Sequence, residues 1–210
     1  MALLENLSES LQNGKVKEVE DGINQALAEG IAPQKILHEG LMAGMDVIGE
    51  KFKNKEIFVP EVLIAARAMN AGMEILKPKL VESGVEAEGR VVLGTVRGDL
   101  HDIGKNLVGM MLEGAGFDVF DLGTDVTEEE FVKEVEDKDP HIVGLSALLT
   151  TTMPEIGNVI KALKDAGLRD KVTVMIGGAP VNEGYVKEVN ADYYAKDAAQ
   201  AASIAKEVQA

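Results

Sequence analysis

Apolar residues recur at helical spacing through the first part of the chain. Val16, Val19 and Ile23, for example, are separated by three and four residues, which places them on one face of a helix. Asn-Gly, Gly or Pro separates four such segments from one another. Because the connections are short, we expect four helices that pack as a small bundle, over residues 3–11, 15–29, 33–52 and 60–78.

The pattern changes after a polar, glycine-containing segment at residues 83–89, which we interpret as a linker between domains 1–86 and 89–210. Beyond it, short β-branched runs alternate with helical segments, an arrangement typical of parallel βαβ units with helices on both faces of the sheet. The five predicted strands cover residues 90–96, 117–122, 141–147, 172–176 and 191–194. The predicted helices that follow them cover residues 103–112, 128–136, 155–166, 183–189 and 198–208.

Composition narrows the possible functions. Lysine and arginine number 21 against 36 acidic residues, and the net charge of −15 disfavours a nucleic-acid backbone or an anionic membrane as partner. The chain has no cysteine, which excludes disulfides, a thiol nucleophile and cysteine-ligated metals. The first residues lack the pattern of a signal peptide and no apolar run reaches membrane-spanning length, so we expect a cytoplasmic protein whose chemistry requires a cofactor.

The loop after the first predicted strand, residues 98–104, contains a histidine between two acidic residues. Side chains two apart in an extended loop point the same way, which places Asp99 beside His101. A carboxylate that accepts one ring N–H leaves the other ring nitrogen free as a base or a metal ligand. The simpler alternative is a loop histidine that only bonds its neighbours. A hard-metal site is disfavoured because no second carboxylate or histidine cluster stands at the other strand ends.

Two further loops follow predicted strands. The loop after the third strand supplies four hydroxyl groups and no charge, on Ser146, Thr150, Thr151 and Thr152. These hydroxyls suit an uncharged polar rim or the Asp-His pair itself, although capping of the next helix explains at least one of them equally well. Gly177 and Gly178 follow the fourth strand and permit close approach to the backbone, a signal that is weak by itself.

Three motifs carry a family resemblance. They are Gly-Asp-Leu-His-Asp-Ile-Gly-Lys-Asn from residue 98, Gly-Leu-Ser-Ala-Leu-Leu-Thr-Thr-Thr from residue 144 and Ile-Gly-Gly-Ala-Pro from residue 176. Together they resemble the cobalamin-binding module of methionine synthase and the corrinoid proteins of methanol, methylamine and methoxyarene methyltransferase systems. Residues 49–61 are similar to the four-helix cap of that family, so the resemblance covers nearly the whole chain. It implies an N-terminal four-helix bundle cap followed by an α/β Rossmann-like (flavodoxin-like) domain with a five-stranded parallel sheet.

The resemblance implies a role for individual residues. His101 would be the lower axial ligand of the corrinoid cobalt, in place of the nucleotide base of the cofactor. Asp99 and Thr152 would form the relay that holds and tunes this ligand, and Thr152 retains the hydroxyl of the serine found in methionine synthase. The other implied corrinoid contacts are Gly98, Leu100, Asp102 and Gly104 in the histidine loop, Leu148 in the loop after the third strand, Ser146, Thr150, Gly177, Gly178 and Ala198 around the nucleotide tail, and Phe52 and Val59 in the cap.

The implied function is that of a methyl carrier without catalytic activity of its own. It would accept a methyl group on cobalt from a substrate-specific methyltransferase and pass it to a second methyltransferase that uses tetrahydrofolate or a thiol, with a reductive activase as a further partner. One alternative is the cobalamin-binding subunit of an adenosylcobalamin mutase, but mutases lack the helical cap. Another is a corrinoid-based sensor, which the acidic charge and the lack of a basic DNA-binding helix disfavour. The sequence leaves the methyl donor open.

Overall fold

The computed structural model describes residues 2–84 and 87–209. They form two compact units, a helical one at the amino terminus and an α/β one that begins at Glu88. Within the predicted linker, Val85 and Glu86 lie outside the described residues. The described part of the chain contains no helix that is both long and apolar enough to cross a membrane.

Four helical segments build the first unit, as predicted. They are α1 (Ala2–Gln12), α2 (Val16–Ala28), a third segment that runs from α3 (Pro33–Lys35) through a π-helical stretch (Ile36–Met42) into α4 (Ala43–Lys53), and α5 (Val59–Glu82). Glycines let these helices approach closely. A Cβ added at Gly40 would lie 2.6 Å from Leu7 Cδ2, and one added at Gly72 would lie 2.9 Å from Ile23 Cδ1. The bundle core is therefore tightly packed at these crossings.

The predicted end of the fourth helix near Pro78 is wrong, because α5 continues to Glu82 with Pro78 inside it. Proline lacks the N–H that a helix interior requires, and for this reason the sequence pattern favoured an end at this position. However, Leu76 and Leu80 are both buried, so the apolar face of the helix extends past the proline. We attribute the continuation to this burial, which offsets the missing hydrogen bond.

The second unit is the predicted parallel α/β fold. Its five strands are β1 (Arg90–Thr95), β2 (Asp118–Asp121), β3 (Ile142–Ser146), β4 (Thr173–Gly177) and β5 (Tyr193–Tyr194). The helices between and after them are α6 (Ile103–Gly114), α7 (Glu128–Lys138), α8 (Met153–Asp165), α9 (Glu183–Val189) and α10 (Ala198–Gln209). All strand pairs are parallel and the order is β2-β1-β3-β4-β5, so the predicted flavodoxin-like topology is confirmed.

The carboxyl ends of the central strands form one row. Thr95, the last residue of β1, pairs with Ser146 at the end of β3, and Ser146 pairs with Gly177 at the end of β4. The loops that leave these three positions therefore start side by side. In a sheet with this strand order, ligands usually bind at the carboxyl ends of two neighbouring strands whose following connections lead to opposite faces of the sheet.

Candidate functional site

The loop after β1 places a histidine directly on a buried carboxylate. The Nδ1 atom of His101 lies 2.7 Å from Oδ1 of Asp99, and the backbone N–H of His101 donates to the same oxygen at 3.1 Å. The Asp99 side chain is fully buried, whereas that of His101 is 49% exposed. The predicted Asp99–His101 pair is thus confirmed, with the imidazole at the surface and its carboxylate partner beneath it.

The second oxygen of Asp99 is held by the loop after β3. Thr152 Oγ1 donates to Asp99 Oδ2 at 2.6 Å, and the backbone N–H groups of Leu148 and Leu149 donate to it at 2.7 and 3.3 Å. The Thr152 hydroxyl also lies 3.0 Å from the Leu149 carbonyl oxygen, but its one proton goes to the carboxylate, the closer and charged acceptor. Although Thr152 precedes α8 at the N-cap position, its side chain makes no capping bond there. The Thr152 hydroxyl donates to the Asp99 carboxylate instead.

These contacts determine the protonation of the pair. Burial raises the pKa of the Asp99 carboxyl, but hydrogen bonds from Thr152, His101 and Leu148 outweigh it and hold the pKa well below its ordinary value. Asp99 is therefore an acceptor only, and Nδ1 of His101 must carry the proton of their shared bond. In the neutral imidazole the other nitrogen, Nε2, then has a free lone pair and can act as a ligand to a metal ion.

Further bonds hold the histidine loop in place. Thr95, fully buried at the end of β1, donates its hydroxyl proton to the His101 carbonyl oxygen at 2.9 Å. Gly98 adopts a φ of +78°, a conformation that glycine accepts readily, and its N–H donates to Asp125 Oδ1 at 2.7 Å. Hydrogen bonds therefore fix the backbone of the loop on both sides of Asp99.

Apolar side chains accompany the exposed imidazole. They belong to the same two loops and to the first turn of α6, with exposed fractions of 73% for Leu100, 79% for Ile103, 39% for Leu148 and 42% for Leu149. Exposed apolar side chains grouped around a functional residue commonly mark a binding surface. This one suits a flat, largely apolar ligand above His101. The predicted contacts Leu100 and Leu148 belong to this surface.

The residues predicted for a ligand tail lie at the ends of β3 and β4. Ser146 and Gly177 are paired in register, and Thr150 is exposed in the loop after β3. Gly178 has a φ of +127°, and a Cβ added there would overlap the carbonyl oxygen of Ala147. Gly178 is therefore required by the close approach of two strand ends. Ala198, by contrast, is buried at the start of α10.

Two further predicted contacts, Asp102 and Gly104, lie at the start of α6. The Asp102 carboxylate accepts a hydrogen bond from the Asn106 side-chain amide at 3.1 Å. Gly104 is exposed in the first turn of that helix, with open space where a Cβ would stand. In the helical unit, Phe52 is half-buried near the end of α4, and Val59 is the first residue of α5 and partly buried.

Two polar groups beside the histidine loop were not predicted from the sequence. Lys105 is buried in α6 and pairs with Asp121 at the end of β2, while Asp125 binds the backbone of the loop. Lys105 stands within the first motif, where a lysine in a largely apolar helix was a weak signal. No signal in the sequence indicated Asp125, because its contacts join residues that are far apart along the chain.

Removal of the Thr152 hydroxyl tests its bond to the buried carboxylate. We expect Thr152→Val, which keeps the shape of the side chain, to lower the free energy of unfolding by about 1.5–3 kcal/mol, the usual value for a hydrogen bond to a charged group. Thr152→Ser is the matched control and should lose less, because it retains the donor. Chemical denaturation measures both variants, and equal losses for valine and serine would contradict the bond.

Acid should weaken the contribution of Asp99. Because the pKa of Asp99 is lower in the folded chain than its ordinary value of about 3.9, the stabilisation is present above that pH and is lost as the pH falls below it. The stability difference between wild type and Asp99→Asn should therefore be smaller at about pH 3 than at about pH 6. Asp102→Asn removes one negative charge from the same loop and is the control. A constant difference for Asp99→Asn across this range would contradict the assignment.

Substitution of Gly178 should damage the strand-end contact. Gly178→Ala forces a Cβ into the Ala147 carbonyl and an alanine into positive φ, so we expect a clear loss of thermal stability. Gly157→Ala in α8 is the control, since its Cβ would meet Val189 only at an ordinary 3.6 Å. That variant should be neutral or slightly more stable because alanine favours helices. Calorimetry of both proteins checks the prediction, and equal melting temperatures would refute it.

Comparison with known proteins gives one consistent family. Residues 89–203 and residues 3–77 each match a family model described as a B12 binding domain. The chain is 39% identical over 206 residues to dimethylamine corrinoid protein 3 of Methanosarcina acetivorans, covering 98% of this chain and 96% of the relative. It is 43% identical over 189 residues to the trimethylamine corrinoid protein of Methanosarcina barkeri, covering 89% and 87%.

Solved structures agree with this. A crystal structure of the methanol:cobalamin methyltransferase complex MtaBC from Methanosarcina barkeri has a chain that matches with a TM-score of 0.89 and 33% identity, over 99% of this chain and 80% of that one. A cobalamin-binding protein from Desulfitobacterium hafniense matches with a TM-score of 0.81 and 35% identity, over 98% of both chains. With family models on both units and such relatives over nearly its whole length, this chain is a member of the B12-binding family of corrinoid proteins.

Proposed function

We propose that this chain carries methyl groups on a bound corrinoid between two methyltransferases and catalyses no reaction alone. The observation that carries the proposal is the contact of the buried Asp99 carboxylate with the exposed His101 imidazole, at 2.7 Å, in a member of the B12-binding family. His101 is the proposed lower ligand of cobalt through Nε2. Asp99 and Thr152 are the proposed relay behind it.

The residues present fit a corrinoid. In the neutral imidazole of His101 the Nε2 lone pair is free, and Leu100, Ile103 and Leu148 offer exposed apolar contacts to a flat ring. Hydroxyls at Ser146 and Thr150 can bond polar groups of the long tail at the ends of β3 and β4, and the roles of Gly177 and Gly178 as tail contacts rest on the family resemblance. The roles of Gly98, Asp102, Gly104 and Ala198, and of Phe52 and Val59 as apolar contacts, rest on the family resemblance.

The residues of the relay explain how a ligand would be controlled. When bound, the cobalt of a corrinoid supplies the atom that accepts and releases a methyl group. Asp99 holds the proton on Nδ1 of His101 and thereby keeps Nε2 available as a donor. Thr152 and the Leu148 N–H donate hydrogen bonds to the Asp99 carboxylate. These bonds determine how much negative charge the carboxylate presents to the imidazole. A change in either bond would alter how strongly His101 donates to a metal.

The proposed partners follow from the relatives. Relatives named for dimethylamine and trimethylamine, and a structural match to a complex with a methanol:cobalamin methyltransferase, support a substrate-specific methyltransferase as the methyl donor enzyme. We also propose a second, acceptor methyltransferase, which uses tetrahydrofolate or a thiol, and a reductive activase, all in the cytoplasm. A methylated amine is the first donor class to test, because relatives of nearly full coverage bear that name.

Electron paramagnetic resonance of the Co(II) form tests the ligand. We expect the full chain, reconstituted with a corrinoid, to show nitrogen hyperfine coupling that changes from triplets to doublets when its histidines carry ¹⁵N. His101→Ala should abolish this coupling. His141→Gln is the control, since His141 precedes β3 at the opposite end of the sheet and bonds Arg90. Coupling that follows a ¹⁵N label in the cofactor's own base would overturn the proposal.

A further inference from the structure

The loop between β2 and α7 contacts the histidine loop through one residue. Asp125 accepts the Gly98 N–H on its Oδ1 at 2.7 Å, and its own N–H donates to the carbonyl oxygen of Asp99 at 3.0 Å. These two bonds act on the peptide groups before and after the Gly98–Asp99 pair. Asp125 therefore restrains the backbone from which the Asp99 carboxylate projects toward His101.

The conformation of Asp125 points to a requirement for its side chain. Its φ of +58° is uncommon for a residue with a Cβ, and aspartate and asparagine are among the side chains that tolerate it. A glycine adopts such a φ without strain, as Gly123 does two residues earlier at +84°. If the chain needed only a turn here, glycine would serve at position 125. The carboxylate adds the bond to Gly98 that glycine would lack.

The rest of this loop is itself anchored. The Thr95 N–H donates to the Gly123 carbonyl at 3.0 Å, the Val126 N–H donates to the Thr95 carbonyl at 3.0 Å, and Val96 forms a parallel bridge with Val126. These bonds extend the pairing of β1 beyond its last residue. Asp125 thus lies in a segment that is held by several hydrogen bonds, and its own bonds can hold the histidine loop in one position.

An ion pair with one buried partner holds the other end of the same segment. Asp121 accepts the Gly123 N–H at 2.8 Å and pairs with the ammonium of Lys105, whose side chain is 1% exposed. Lys105 lies in α6, just after the histidine loop. The segment from Asp121 to Val126 is therefore attached to the chain on both sides of His101.

We propose that Asp125 is a positioning residue for the Asp99–His101 pair. By holding Gly98 and Asp99, it keeps the carboxylate against Nδ1 of His101, and this contact selects the imidazole form with a free Nε2. The consequence for cobalt rests on the proposed function. The effect of Asp125 on the His101 imidazole does not rest on the proposed function, because it exists in the chain without any cofactor.

The form of the imidazole can be measured in the chain without corrinoid. The sequence contains three histidines, so ¹⁵N-histidine NMR resolves them, and His101→Gln assigns the signal of interest. We expect wild type to show His101 protonated on Nδ1. Asp125→Gly removes the bond to Gly98 without backbone strain, and the population protonated on Nε2 should rise several-fold. Asp125→Asn, which keeps an acceptor oxygen, should restore the wild-type signal.

Asp139→Gly is the matched control. Asp139 is another aspartate at positive φ, +46°, and it pairs with Arg90 at the opposite end of the sheet. This variant should leave the His101 signal unchanged. Circular dichroism establishes that each protein is folded, and Asp125→Ala replaces Asp125→Gly if the latter is not. An unchanged His101 signal in the folded glycine or alanine variant would overturn the proposal, as would an equal change in Asp139→Gly.

The corrinoid-bound full chain provides the second measurement. Asp125→Gly should shift the Co(II)/Co(I) midpoint potential in the same direction as His101→Ala but by less, because a loosened ligand stabilises Co(II) less. A midpoint equal to that of wild type would count against the positioning role. If wild type itself shows no coupling from histidine nitrogen, the proposed cobalt ligand fails instead, and the NMR comparison still decides the role of Asp125.

Discussion

A buried negative charge organises the candidate site. The carboxylate of Asp99 has no solvent exposure, and an ionised group in such a place persists only if hydrogen-bond donors surround it. Its donors come from its own loop, through His101, and from the loop after β3, through Thr152 and Leu148. The two loops must therefore keep their relative position for the charge to remain satisfied. The orientation of the exposed imidazole follows from this requirement.

The order of the strands supplies that relative position. With β1 hydrogen-bonded to β3, the ends of these strands stand next to each other, and the short loops that leave them meet above the same edge. The loop after β2 approaches from the other side of β1 and reaches Gly98 through Asp125. The imidazole thus projects from a loop, but that loop is held by hydrogen bonds from the loops that follow the two neighbouring strands.

Prediction from sequence succeeded where contacts are short in range. The Asp99–His101 pair spans two residues, and the alternation of side chains along an extended loop was enough to expect it. The partner of the Asp102 carboxylate, by contrast, was not predicted: it is Asn106, in the first turn of α6. The end expected at Pro78 followed a correct local rule that the burial of Leu76 and Leu80 outweighs.

The sequence alone determined the helices, the strands and the family, since hydrophobic period and a contiguous motif are local properties of the chain. Thr152 was expected to serve Asp99 only through the family resemblance, whereas the tertiary structure alone showed which backbone groups bond Asp99 and what restrains its backbone. Thr152 is 53 residues from Asp99, and Asp125 is 27 residues from Gly98. Such pairs meet only through strand order and register, which arise from the packing of the whole sheet, and no local pattern of residues encodes them.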